Sequence, residues 1–353
     1  MAFGQATCYS SKEAAPWNWR RPLINTFPLP YLSIVFWTAL AVAGILAKPI
    51  LVTLLRLNSR QTVSAHAPEG HQKKQGTPTM GGLIVIAGML AAMTVSGYRD
   101  FAAIVLLVGF ALIGFIDDFV VPRKFVGKRG LGWKQKILMQ VVVAVAAAMM
   151  ARSSALGIGV LVFLVLFFSN AYNFSDGLDA LAGTILLGLA SGLIAIGLLT
   201  EMRSAWLVPL VAMLGAIVPF LFLNAPPAKV FMGDVGSLPI GAVLGYVVGQ
   251  FALGYGTGMD HTHVAIGPLL VISLMMVVEL VPVPLQILSV KLRKKRLFPY
   301  TPVHHAFEKA GWPETRVVFH FALAQLLLAA LAVGLIVGLP VRSGAGSRPI
   351  VRR

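Results

Sequence analysis

The chain has 353 residues, 57% hydrophobic and 12% charged, with a formal net charge of +16 at pH 7 and a mean hydropathy of +0.82. Apolar stretches of about 20 residues, long enough to cross a bilayer, recur along its length and leave no room for a sizeable soluble domain. Cys8 is the only cysteine, which excludes an internal disulfide and a cysteine metal site.

Ten apolar runs are expected to span, near 30–54, 79–97, 101–117, 137–151, 155–171, 178–199, 206–223, 236–254, 264–289 and 317–339. None alternates as a barrel strand would, and in lipid every backbone polar group needs an internal partner, so the runs are read as helices. The expected fold is all-α: one polytopic integral membrane domain over 1–353, with an N-terminal tail (1–28) and a basic C-terminal tail (340–353). The first run is too long and too late for a cleaved signal peptide, so Met1 is expected to be retained.

The connections alternate between two sides. Segments 56–78, 117–136, 171–178, 224–236 and 290–316 share one side and carry eighteen Lys and Arg; the other side, with both termini, carries ten, and Lys48 lies inside a span. The positive-inside rule puts the first side in the cytoplasm and both termini outside. A basic cytoplasmic face suits anionic headgroups and phosphorylated substrates, and no nucleic-acid motif accompanies it.

Asp117, Asp118, Asp176, Asp179, Asp234, His304 and His305 all fall on that cytoplasmic side, at or near helix ends. Acids are at home at wet helix ends, where they cap N-termini. That explanation alone predicts acids on both faces and leaves the accompanying Gly and Asn residues unexplained. The adjacent carboxylates of "GFIDDF" (114–119) repel unless a cation or nearby lysines hold them ionised, and Mg²⁺ shared with substrate phosphates is the economical partner. In "DGLDAL" (176–181) Asp176 and Asp179 lie three apart around a glycine. "NAPPAKVFMGDVGSLPIG" (224–241) flanks Asp234 with Gly233 and Gly236 just before a helix, where free backbone N–H groups bind phosphate. A positive-inside loop explains Lys73 and Lys74 of "HQKKQGTPTMGG" (71–82), though not the TPTMGG. Two adjacent histidines do not share a helix face, so His304 and His305 suit phosphate donation or a structural role better than a shared metal.

TPTMGG, the aspartate pair, NAYNFSDGLDALAG, NAPPAKVFMGDVGSL and HHAFEKAGWPETRV occur in the order and approximate spacing of the polyprenyl-phosphate N-acetylhexosamine-phosphate transferase superfamily, over about residues 70–320. TPTMGG and HHAFEKAGWPE resemble its phospho-N-acetylmuramoyl-pentapeptide transferase branch. The resemblance implies a ten-span enzyme of the bacterial cytoplasmic (inner) membrane that moves phospho-MurNAc-pentapeptide from UDP onto undecaprenyl phosphate. UMP and the first lipid-linked peptidoglycan intermediate would be its products. It implies Mg²⁺ as cofactor with Asp234 as principal ligand, and Asp117 as base or lipid-phosphate positioner beside Asp118. Lys74, Thr79, Asn173, Asp176, Asp179, Asn224 and Phe231 match positions used around the uridine and diphosphate. Lys136 matches a second lysine of the family, and His304 and His305 open its histidine motif. Both substrates and the bilayer are the expected partners; a homodimer is compatible with the sequence, and nucleic acid is not expected.

Two departures stand out. The family usually reads HHH where this chain has His304, His305 and Ala306, and it usually carries a lysine where this chain has Val121, leaving Arg123 or Lys124 to reach back. In the ninth run, Pro282 and Pro284 beside Glu279 should kink the helix and open a groove for the polyprenyl chain. Three rivals stay open: a sister transferase using UDP-N-acetylglucosamine, a catalytically silent lipid-binding paralogue, and a transporter. A transporter should show mid-membrane polar groups and often an internal repeat; Glu279 is the main buried acid, and no repeat is evident.

Overall fold

The computed structural model describes residues 29–57, 76–125, 127, 130–151, 153–200, 202, 204–254 and 262–338. Both expected tails and Lys74 lie outside the described residues. The helices are α1 (Leu29–Arg56), α2 (Gly82–Val95), α3 (Phe101–Phe115) running through a π-helical stretch (Ile116–Val120) into α4 (Val121–Lys124), α5 (Trp133–Met150), α6 (Ala155–Ser175) and α7 (Leu181–Leu199). They continue with α8 (Ser204–Asn224), α9 (Asp234–Ala252), α10 (Thr262–Ile272), α11 (Leu274–Leu280), α12 (Pro282–Arg293), α13 (Val303–Lys309) and α14 (Glu314–Gly338).

Among the described residues, nine helical segments are long and apolar enough to cross a membrane, and α2 is a shorter apolar helix. This agrees with the all-α, polytopic reading. Large apolar side chains such as Trp37, Ile45, Leu138, Phe163 and Leu327 point outward from the bundle, as a hydrocarbon surround favours. The ninth expected run is three helices interrupted at Ser273 and Val281. Pro282 opens α12, where a missing N–H costs nothing at the first turn. The pieces have different neighbours: α10 packs on α14, α11 on α6, and α12 buries none of its residues.

The core is organised around α9, which is buried continuously from Val235 to Phe251 and packs chiefly on α6 and α3. One polar tie and one close backbone contact join it to α3. At one end Asp100 caps α3 by accepting the Ala102 amide at 3.0 Å, and its other oxygen accepts the Tyr246 hydroxyl of α9 at 2.8 Å. At the other end α3 and α9 meet backbone to backbone at Gly114, where a Cβ would overlap the Asp234 carbonyl and the Val235 amide. This glycine lets the helix bearing the aspartate pair approach the first turn of α9, the small-residue contact common between membrane helices.

Gly114→Ala should therefore lower the thermal unfolding midpoint in detergent, by the equivalent of about 1–3 kcal/mol of overpacking or more. Gly159→Ala, at a helical glycine with nothing within 4 Å of the added carbon, should leave it unchanged or slightly higher. Equal midpoints for the two variants would contradict the close α3–α9 contact.

Candidate active site

Four helix ends converge at one end of the bundle. The π-helical stretch carries Asp117 and Asp118, the first turn of α5 carries Lys136, the last turn of α6 carries Asn173, and Asp234 opens α9. Asp117, Asp118 and Asp234 each offer a carboxylate oxygen within a cluster no wider than 4.8 Å. The sequence separates the adjacent Asp117 and Asp118 from Asp234 by more than a hundred positions, so the Gly114 contact is what brings the pair and Asp234 together.

Five of the six carboxylate oxygens of the cluster have a defined partner. Asp117 Oδ1 accepts the Leu131 amide at 2.5 Å, and Asp117 Oδ2 lies 3.4 Å from Lys136 Nζ. Lys136 Nζ also donates to Asp234 Oδ2, so one ammonium bridges two carboxylates. Asp234 Oδ1 accepts Asn173 Nδ2 at 2.7 Å, and the same amide group donates to Ser237 Oγ at 2.8 Å. Asp118 Oδ2 accepts the Val235 amide at 3.1 Å, one of the free N–H groups at the start of α9, where the helix dipole also favours a carboxylate. The side chains of Asp117, Lys136 and Asp234 remain 15–19% exposed, so the cluster is open to a ligand from the aqueous side.

Gly233 completes the enclosure. Its φ of +72° lies in the left-handed region, and a Cβ there would come within 2.6 Å of both Asp118 Oδ2 and Thr79 Oγ1, so glycine is required on two counts. Thr79 is thereby placed against the cluster, on a segment pinned by three backbone bonds: Phe231 N to Pro78 O, Gly81 N to Phe231 O and Gly82 N to Met232 O. Phe231 is part of that pinned strip. Asp176, just past α6, hydrogen-bonds the Gly233 amide; burial, reinforced by the carboxylates of Asp234 and Asp118, pushes it well above the usual carboxylate range.

Two further expected site residues lie in the turns beside the cluster. Asp179 is buried and accepts the Ala228 amide at 2.9 Å, while its own amide donates to Glu314 Oε1 at 2.6 Å. Asn224 is buried, accepting from Ala180 N and donating to Val230 O, both at 2.9 Å. Together they latch the α6–α7 and α8–α9 turns to each other. Each histidine pairs with a glutamate: His304 is fully buried against Glu279, and His305 Nδ1 lies 2.6 Å from Glu308 Oε2.

Arg123 does not reach back to take the place of the lysine missing at Val121. Val121 is buried, and Arg123 turns the other way, donating to the Leu57 carbonyl and stacking 4.0 Å over the Phe119 ring. Lys136 supplies the positive charge instead. Sequence reasoning missed Leu131, which acts through its backbone and leaves no residue-type signal, and Ser237, whose place one helical turn after Asp234 was a readable cue.

Three carboxylates within one small cluster, all hard oxygen donors, fit a hard divalent cation. The lysine and the helix N-terminus beside them fit the oxygens of a phosphate.

Comparisons with known proteins agree with this chemistry. The sequence model of glycosyl transferase family 4 matches residues 101–251, and signature 1 of phospho-N-acetylmuramoyl-pentapeptide-transferase matches residues 74–86, the segment holding Lys74 and Thr79. The chain is 36% identical over 326 residues to the phospho-N-acetylmuramoyl-pentapeptide-transferase of Heliobacterium modesticaldum, covering 85% of this chain and 95% of that protein. It is 36% identical over 320 residues to that of Bacillus subtilis, with 82% and 93% covered, and 34% identical over 323 residues to that of Staphylococcus haemolyticus, with 82% and 94% covered. Identity of this extent along nearly the whole of each relative shows that the chain belongs to the phospho-N-acetylmuramoyl-pentapeptide-transferase family.

Proposed function

We propose that this chain transfers phospho-MurNAc-pentapeptide from UDP-MurNAc-pentapeptide to undecaprenyl phosphate, giving UMP and undecaprenyl-pyrophosphoryl-MurNAc-pentapeptide. The observation that carries the reading is the Asp117, Asp118, Asp234 and Lys136 cluster at converging helix ends, in a chain whose relatives bear that name. An oxygen of the acceptor phosphate attacks the phosphorus that bears the sugar, and the bond from that phosphorus to the UMP oxygen breaks, its electron pair leaving with UMP.

Asp234, Asp117 and Asp118 would hold Mg²⁺, which when bound neutralises charge on the diphosphate. Lys136 donates to a phosphate oxygen and offsets negative charge as the donor bond breaks. Both oxygens of Asp117 are engaged, by the Leu131 amide and by Lys136, which favours holding the acceptor in line over abstracting a proton. A phosphate monoester is already largely ionised near neutrality, its second pKa being about 6, so no base is needed. Thr79, Asn173, Asp176 and Phe231 line the approach of the nucleotide, with Lys74 on the segment before it. Asp179 and Asn224 serve the donor by fixing the turns around it.

The cluster faces the cytoplasm of a bacterial inner membrane, with both termini outside; the supporting fact is the excess of Lys and Arg on the connections of that side. The lipid acceptor enters from the bilayer beside the broken ninth run, where α12 leaves the bundle.

Purified protein in detergent should release UMP only when Mg²⁺, undecaprenyl phosphate and UDP-MurNAc-pentapeptide are all present, and Asp234→Ala should release none. Activity with UDP-N-acetylglucosamine instead would move the chain to a sister reaction, and inactivity with both donors would contradict the reading. Lys136→Met should lower kcat by about 10²–10³-fold, the usual effect of removing one transition-state charge partner. A Lys136→Met enzyme within threefold of the parent would remove the lysine from the mechanism.

A further inference from the structure

Outside the aspartate cluster, one ion pair among the described residues is withdrawn completely from solvent. Glu279 on α11 and His304 on α13 are both fully buried, with Oε2 and Nδ1 2.7 Å apart. Each keeps one buried atom without a hydrogen-bond partner, Glu279 Oε1 and His304 Nε2. A carboxylate and an imidazole removed from water are tolerable only as partners, so the carboxylate fixes the ring's orientation and with it the direction in which Nε2 points.

That direction is the turn between α6 and α7. A Cβ on Gly177 would overlap His304 Nε2 and come within 3.0 Å of Cε1, so the ring edge is pressed against the backbone at Gly177. Asp176 lies immediately before this glycine and Asp179 two residues after it. On its other side the His304 ring lies 4.2 Å, centroid to centroid, from the ring of His305, which is partly exposed. The buried pair is therefore the joint between the broken ninth run, the histidine segment and the turn that carries Asp176.

We propose that Glu279 is a positioning residue for the donor nucleotide, acting through His304 to set the α6–α7 turn and the adjacent His305; His304 itself positions and does not touch substrate. This rests on the transferase reading above. Its consequence is a division of labour within the histidine motif, His304 facing inward and His305 toward the aqueous side. The break at Val281 serves the same joint, because it ends α11 two residues after Glu279 and leaves that carboxylate inside while α12 departs.

The test is steady-state kinetics of the full-length protein in detergent, with donor and acceptor varied separately. Glu279→Leu should raise the donor KM by about 10–100-fold, as loss of an outer-shell orienting partner does, with kcat at saturating donor within threefold and the acceptor KM unchanged. Glu279→Gln, which keeps a hydrogen-bonding partner of the same shape, should restore most of the donor KM. Gly177→Ala, which displaces the ring from the other side, should raise the donor KM in the same way and serves if Glu279→Leu does not fold. Normal donor KM values in folded Glu279→Leu or in Gly177→Ala, or equal losses in kcat for Glu279→Leu and Glu279→Gln, would overturn the proposal while leaving the transferase reading intact. Unmutated protein that releases no UMP would overturn both.

Discussion

Three carboxylates held within 4.8 Å of one another dominate the physics of this molecule. Two like charges about 4 Å apart repel by about 4 kcal/mol at the effective dielectric near a protein surface, and the cluster contains three such pairs. The structure offsets this with the Lys136 bridge, the Leu131 and Val235 amides, the Asn173 amide and the N-terminus of α9. With all three aspartates ionised, the Lys136 ammonium leaves two negative charges in excess. An excess of that sign suits a divalent cation, through which an anionic phosphate could in turn be held.

The rest of the bundle serves this arrangement. Helix α9 is buried along nearly its whole length, which anchors the turn that carries Asp234. Gly114 lets α3 lie against it, and at the far end the Asp100 and Tyr246 contact keeps the two helices from sliding past one another. Around the site, Asp179 and Asn224 hold the surrounding turns through their side chains. A transferase that joins a water-soluble donor to a lipid-anchored acceptor needs its polar groups where helices leave the membrane, and this packing places them there without burying unpaired charge in the hydrocarbon.

Most of the scaffold was legible in the sequence because hydrophobic length is a local signal. The ten apolar runs correspond to nine long apolar segments and the shorter α2 among the described residues, and Pro282 follows the one-residue interruption at Val281 that separates α11 from α12. Asp117, Asp118 and Asp234 stood out as unusual acids, but their meeting depends on the register between α3 and α9, which no local pattern encodes. Lys136 was assigned only by resemblance, since a lysine in a basic connection looks like any positive-inside residue. The partnership of Glu279 with His304 was invisible because it joins elements 25 positions apart across a helix break. Leu131 works through its backbone, so its identity carries no message. Arg123 seemed a natural substitute for the missing lysine at Val121, yet its guanidinium is taken up by the Leu57 carbonyl and the Phe119 ring.

The central claim, that three aspartates from two distant helices form one divalent-cation site serving a uridine nucleotide, is tested most directly by Mn²⁺ binding followed by electron paramagnetic resonance on the purified protein. One Mn²⁺ per chain, bound more tightly when UMP is present and lost in Asp234→Asn, is the predicted result. Binding that is indifferent to both UMP and Asp234→Asn would contradict the account and leave the aspartates as a solvated cluster with Lys136 as their sole counter-charge.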